Sequence, residues 1–495
     1  MVNSHAQHTR WLLPVLLTVQ FLVSLDMSVV NVALPDIGTG LGFAPESLAW
    51  VVNAYALTFG GLLMLGGRLA DIVGRRTVLI TGFAVFGAAS LLGGLAQAPG
   101  QLIAARAVQG VGAAALAPVA LALITVNFAE GQARSRALGL WGASGAAGGA
   151  VGVLAGGLLT ELAGWRAVML VNVPFVVAVL AAARTAVPAD AHPRTGTRPR
   201  LDVLGALLVT AGTTLLVLGL VRTEAHGWAA PQTTGPLAAA AVLLAAFVVT
   251  ERRVRRPLLR LGLLARGPVL AANVFALLMS AGQFAVFYFT SLYLQEVLGY
   301  GPLAAGSAFL PFCVGIVIGS VIATRAVARV GPGALLLVGG LLGAAGFAGF
   351  AAAVAVDGGF LASILVPSAV GSVGIGLCFV PLGTAATAGV APEETGMASG
   401  LLNSSRQVGG AVGLGVLTTV AASAGGDGLQ GRVDGFAAAY WVAAGLLAVA
   451  ALAAGALYRT RPEARPRPAQ TYDAENSSNK SREPVDPGVS RSTHG

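Results

Sequence analysis

The sequence predicts an all-α membrane protein with fourteen membrane-spanning helices. Three observations carry this. The 495 residues are 56% hydrophobic and only 10% charged, where a soluble domain carries about 25% charged residues. The apolar residues fall in long unbroken blocks, and a bilayer core needs roughly 20 such residues per helical crossing. A backbone inside lipid must satisfy its own hydrogen bonds, and these blocks lack the alternation of barrel strands, so each reads as a helix.

The predicted spans are residues 11–34, 48–67, 77–97, 101–126, 137–160, 166–187, 202–221, 236–250, 268–291, 303–324, 333–355, 360–387, 398–422 and 435–458. The eighth is short for a full crossing. Charge placement tests the count. With the N-terminus in the cytoplasm, 25 of the 30 Lys and Arg residues fall on the cytoplasmic side. Arg166, Arg222 and Arg432 fall outside, and only Arg106 and Arg406 lie well inside spans. The positive-inside rule gives this asymmetry, and a missed or extra helix would scramble it. A multi-pass protein of the cell (cytoplasmic) membrane with both termini cytoplasmic is expected.

That topology sets the organisation. Residues 1–10 form a cytoplasmic N-terminus and 11–187 a six-helix bundle. A Pro- and Arg-rich cytoplasmic linker covers 188–201, two inserted helices 202–250, and a basic cytoplasmic loop 251–267. A second six-helix bundle covers 268–458, and a polar, Pro-rich tail, read as disordered, covers 459–495. The first apolar block lacks a small-residue cleavage site and reads as a retained helix. Cys313 and Cys378 both sit in apolar blocks, so no disulfide framework is indicated.

An internal repeat relates the two bundles. Gly148-Gly149-Ala150-Val151-Gly152 returns as Gly409-Gly410-Ala411-Val412-Gly413, 261 residues on. Arg329–Gly331 stands where Ile72–Gly74 does, 257 residues earlier. Spans 1–6 thus map onto 9–14 and leave 7 and 8 as an insert. Two equivalent halves suit rocking about a central site, the logic of secondary transporters.

Asp26 is the one carboxylate well inside a span. A charge there costs about 2.5–3.5 kcal/mol on insertion scales, so such residues usually face a cavity. A carboxylate so placed can load and release a proton as the cavity opens to each side. The bland alternative is an acid that only fixes helix packing. Arg106 in the fourth span is the natural partner, since at 1.5 Å per residue the two depths differ by about one turn. Its own alternative is snorkelling to the outer interface.

The run Gly67-Arg68-Leu69-Ala70-Asp71-Ile72-Val73-Gly74-Arg75-Arg76 joins spans two and three. Asp71 can accept from helix-start N–H groups or pair with an arginine, while Gly67 and Gly74 allow close approach and a tight turn. Otherwise the run is an ordinary basic loop. In the fifth span Gly145, Gly148, Gly149, Gly152 and Gly156 recur three or four apart and give a smooth packing face. Asn31, Asn53, Tyr55, Gln109, Gln283, Phe287 and Tyr288 are candidate cavity residues, with interhelical bonding or lipid contact as the alternative for each.

These strings resemble the major facilitator superfamily, and within it the fourteen-helix drug:proton antiporter branch. Leu25–Pro35 looks like that branch's first-helix motif, Gly67–Arg76 like the superfamily's loop motif, and Leu102–Gly112 like its fourth-helix motif. Gly164-Trp165-Arg166 with Val171-Asn172-Val173-Pro174, Tyr293–Tyr300 and Ser399–Gln407 also match, so the likeness covers roughly residues 10–460. The resemblance implies a major-facilitator fold of two six-helix bundles plus two further helices. It implies Asp26 and Arg106 as a proton-coupling pair, and Asp71, Arg75 and Arg76 steadying a cytoplasmic gate with Gly67 and Gly74. One departure is Val153, where the branch has a proline in its fifth helix.

The resulting expectation is proton-driven export of amphipathic small molecules, with cargo, protons and membrane lipid as partners. Uptake or facilitated diffusion, and a non-transporting sensor, are the alternatives. An enzyme is not indicated: all five histidines lie in tails or loops, and no metal-ligand spacing is present. No glycine-rich nucleotide loop with its Lys occurs either. No cofactor, ATP or nucleic acid is therefore expected.

Overall fold

The computed structural model describes residues 2–128, 131–187, 202–254, 257–391 and 394–459. The expected linker at 188–201 and nearly all of the tail lie outside the described residues.

Proline and glycine punctuation sets the helices. The first four are α1 (Val2–Leu41), α2 (Trp50–Val73), α3 (Arg75–Gly94) and α4 (Pro99–Asn127). Then come α5 (Gln132–Ala163), α6 (Trp165–Leu170 continued by Asn172–Ala186), α7 (Val203–His226), α8 (Pro231–Arg253) and α9 (Gly267–Leu292). Leu310–Ala353 is one 44-residue run that bends at Gly331, whose φ of 79° is non-helical; α10 precedes the bend and α11 follows it. The last three are α12 (Val366–Ala386), α13 (Thr395–Ala424) and α14 (Gly428–Arg459).

Among the described residues thirteen helices are long and apolar enough to cross a membrane. One of them, Pro302–Ala353, has 52 residues, more than twice what a crossing requires, and its bend makes two passages of it. Fourteen passages result. The bend at Gly331 matches the break at Gly74 (φ 107°) between α2 and α3, the same pair that the sequence repeat aligns. Positive φ is accessible to glycine without strain. The eighth span is longer than expected: α8 has 23 residues, because Pro231 starts it ahead of a polar first turn that hydropathy alone discounts.

The packing is repeated too. Helix α5 lays its glycines on α1, and a Cβ on Gly152 would sit 2.8 Å from the Leu25 carbonyl oxygen. In the second half α13 does the same to α9, where a Cβ on Gly409 would sit 2.6 Å from Leu277 Cα. One apolar core fills the first bundle around Leu16, Phe83 and Leu116. Helix α7 joins the pair of bundles through a small cluster of Ala56, Leu57, Val217, Val221 and Ala411. Exposed Leu92, Leu162, Val177, Val242 and Val449 form an apolar outer surface suited to lipid.

Candidate functional site

Asp26 is fully buried on α1, with α3, α4 and α6 around it. Its Oδ2 accepts from Arg106 Nη1 on α4 at 2.5 Å. Its Oδ1 accepts from Gln109 Nε2 at 3.1 Å and from Asn172 Nδ2 on α6 at 2.7 Å. Ser90 Oγ on α3 accepts from the same Gln109 nitrogen at 2.6 Å and from Asn172 Nδ2 at 3.3 Å. Gly152 and Gly156 let α5 reach the α1 backbone on either side of the acid, so no bulky side chain separates the two helices there.

The guanidinium is held by more than the acid. Arg106 Nε donates to the Val51 carbonyl at 3.0 Å, and Nη1 donates to Gln109 Oε1 at 3.0 Å. The Tyr55 ring lies 4.5 Å from Arg106 Cζ, a cation–π distance. Two polar groups on α2 are left over. Asn53 is buried with neither amide atom bonded, and the Tyr55 hydroxyl is buried without a partner. Buried polar groups are nearly always paired, so these two stand out.

The remaining sequence candidates are scattered. Gln109 belongs to the acid's own network. Asn31 donates to the Met27 carbonyl of its own helix at 2.7 Å, while its carbonyl accepts from Ser291 of α9. The Phe287 ring stacks on Phe309 at 5.2 Å and meets Phe312 edge-on at 4.8 Å. Tyr288 is buried and Gln283 half-buried. Gly145 faces Gln20, Gly148 the Phe21 carbonyl, and a Cβ on Gly149 would lie 3.7 Å from Ser28 Oγ. Val153 is fully buried within an unbroken α5.

In the α2–α3 turn, Gly67 packs against Pro118 of α4, and half-buried Arg75 and Arg76 open α3. The side chain of Asp71 lies outside the described residues. Arg68 reaches across to donate to the Pro257 carbonyl. Sequence reasoning did not assign Ser90 or Asn172. Asn172 stood in a motif string, and Ser90 is a lone hydroxyl in an Ala-, Gly- and Leu-rich stretch, a signal too common to single out.

Apolar helices long enough to cross a bilayer, in two repeated bundles of which the first holds a buried ion pair, define a multi-pass membrane transporter. The chain belongs to the Major Facilitator Superfamily, whose family model matches residues 16–414. It is 47% identical over 408 residues to the cephamycin export protein of Amycolatopsis lactamdurans, covering 82% of this chain and 84% of that one. It is 42% identical over 470 residues to the puromycin resistance protein of Streptomyces alboniger, covering 92% of each. Among solved structures, a peptide transporter in complex with sulfate superposes with a TM-score of 0.66 at 16% identity, over 91% of this chain and 94% of that one. A bacterial homologue of the lysosomal transporter Spinster, inward-facing, gives 0.64 at 15% identity, over 92% and 97%. These two show the fold.

Proposed function

We propose that the protein exports antibiotics or related amphipathic small molecules by exchange against protons, with Asp26 as the proton carrier. The observation that carries this is the buried Asp26–Arg106 pair and its amide partners. A buried charge costs several kcal/mol unless compensated, and here compensation is complete only while Asp26 is ionised. Protonation cancels the charge but leaves Arg106 with Val51, Gln109 and Tyr55. The loosened α1 is then free to slide on the glycine face of α5. The Asn53 amide and the Tyr55 hydroxyl, buried on α2 without hydrogen-bond partners, are the groups we assign to cargo. The names of the relatives support antibiotic cargo.

The arginine-rich face carrying Gly74 and Gly331 is the cytoplasmic one in this reading, with both termini there in the cytoplasmic membrane. The run Gly67–Arg76 acts as a gate on that face, with Asp71, Arg75 and Arg76 holding it. Inverted vesicles decide the matter. Acidifying the interior should drive uptake of puromycin or a cationic dye, and collapsing the proton gradient should stop it. Wild-type vesicles that fail to accumulate any compound of an antibiotic panel, or that accumulate it without a gradient, remove the proposal.

A further inference from the structure

A second pair of acids lies away from Asp26, at the arginine-rich end of the inserted helices. Asp202 caps α7, where its Oδ1 accepts from the Gly205 N–H at 2.8 Å. Glu251 ends α8, where its Oε2 accepts from the Leu259 N–H at 2.9 Å. Both side chains are more than nine-tenths buried, at 5% and 4% exposure. Each has one oxygen left without a donor, Oδ2 of Asp202 and Oε1 of Glu251. Those two oxygens converge: they lie 2.8 and 2.7 Å from the single point a Cβ on Gly205 would occupy.

Two acceptors turned together in a buried place repel unless something positive lies between them. Neither oxygen accepts a hydrogen bond from a described residue, a cation included. Arg68 of α2 is near enough for its charge to act on Glu251, but its Nη2 donates to the Pro257 carbonyl. Arg252 and Arg253, next on α8, are exposed. A single proton between Oδ2 and Oε1 satisfies both oxygens at once and belongs to the pair, not to either residue.

We propose that Asp202 and Glu251 form a second proton-binding site, a carboxyl–carboxylate pair bridged by one proton. Its position gives it a task. The strap at 257–260 is tied to Glu251 through Leu259, to α2 through Arg68 and to the second half through Arg260 and Glu394. Loss of the bridging proton sets two negative charges face to face and pushes Glu251 away from α7, loosening the strap that links the halves. This site does not rest on Asp26 being the carrier.

The test uses the full chain in lipid nanodiscs, in an Asp26→Asn background so that the first acid contributes no signal. Infrared difference spectra on raising pH should show the carbonyl band of a buried carboxylic acid disappearing. That band should be missing from both Glu251→Gln and Asp202→Asn, which keep shape and still offer an N–H to the remaining carboxylate. The Tm of the Asp26→Asn protein should fall as pH rises, and this fall should be at least halved in Glu251→Gln. A band absent at every pH, or one that survives both substitutions, overturns the proposal. So does a Tm that rises with added Na+ or Mg2+ while no acid band is seen, since a metal cation would then hold the pair.

Discussion

The two halves share a backbone plan but differ in what fills it. The α5-on-α1 contact returns as α13 on α9, 261 and 256 residues on, and the Gly112 contact with α3 returns at Gly374, 262 residues on, with its α3 partners 257 residues on. Carried through those offsets, Asp26 falls on Gly282, Ser90 on Phe347, Arg106 on Ser368 and Gln109 on Gly371. A Cβ on Gly282 would lie 2.9 Å from the Phe347 ring and 3.3 Å from Ala443 Cβ. Where the first half holds an ion pair and two amides, the second holds an aromatic ring over a glycine. Its interior contacts include neutral ones, Ser405 to Asn273 at 2.8 Å and Thr290 with Tyr440 at 3.0 Å, and its intramembrane cation, Arg406, lies over the Phe379 ring and is not at the position equivalent to Arg106. In the proposed cycle the first half is the one that changes charge, and the asymmetry between the halves lies in their side chains.

Substitutions can break that contrast, the first being the most severe. Asp26→Asn should abolish gradient-driven export while detergent-extracted protein keeps its yield and elution profile; unchanged export would leave the first half no more charged in function than the second. Gly282→Asp writes the acid into the wrong half, with no arginine or amide to meet it. It should lower stability by about 2.5–3.5 kcal/mol, the insertion cost of a bare acid, read as a fall in Tm, and it should not restore transport to Asp26→Asn. Gly152→Val and Gly413→Val strike the shared plan and not the difference. Both force a side chain into a facing helix, so both should cost about 1–3 kcal/mol; a large gap between their Tm shifts would show the packing repeat to be unequal.

Gentler changes sharpen the comparison. Ser90→Ala removes the hydroxyl shared by Gln109 and Asn172, about 1 kcal/mol for a neutral hydrogen bond. Export should slow by less than about tenfold and its pH profile should move, a readout that a packing defect alone would not alter. Smallest is Arg260→Ala, which deletes an exposed ion pair with Glu394. Such pairs contribute about 0.2–1 kcal/mol, so the Tm should hardly change at moderate salt.

Most of the fold was legible because lipid demands it. Apolar length marks each helix, and arginine placement marks most turns on one face, including the bend at Gly331 that separates α10 from α11. The eighth helix was underestimated because Gln232, Thr233 and Thr234 open it, and hydropathy cannot see that Pro231 already starts the turn. Within the site, Asp26 and Arg106 were legible because charge is rare in such blocks. Ser90 and Asn172 were not, since a hydroxyl or amide can bond within its own helix and so announces nothing until the fold brings three other helices beside α1. The α7–α8 acids were hidden by position: at span ends, carboxylates are ordinary.

The several holds on Arg106 have a kinetic meaning. Stripping one partner from a buried ion pair commonly leaves the other bare, at about 3–5 kcal/mol. Were that cost part of the barrier to each cycle, turnover would be slower by roughly two to four powers of ten. With the Val51 carbonyl, Gln109 and the Tyr55 ring already in place, the cation would not stand alone if the acid were protonated as we propose. In the proposed cycle the rate would then be set by the movement of helices, not by the parting of charges.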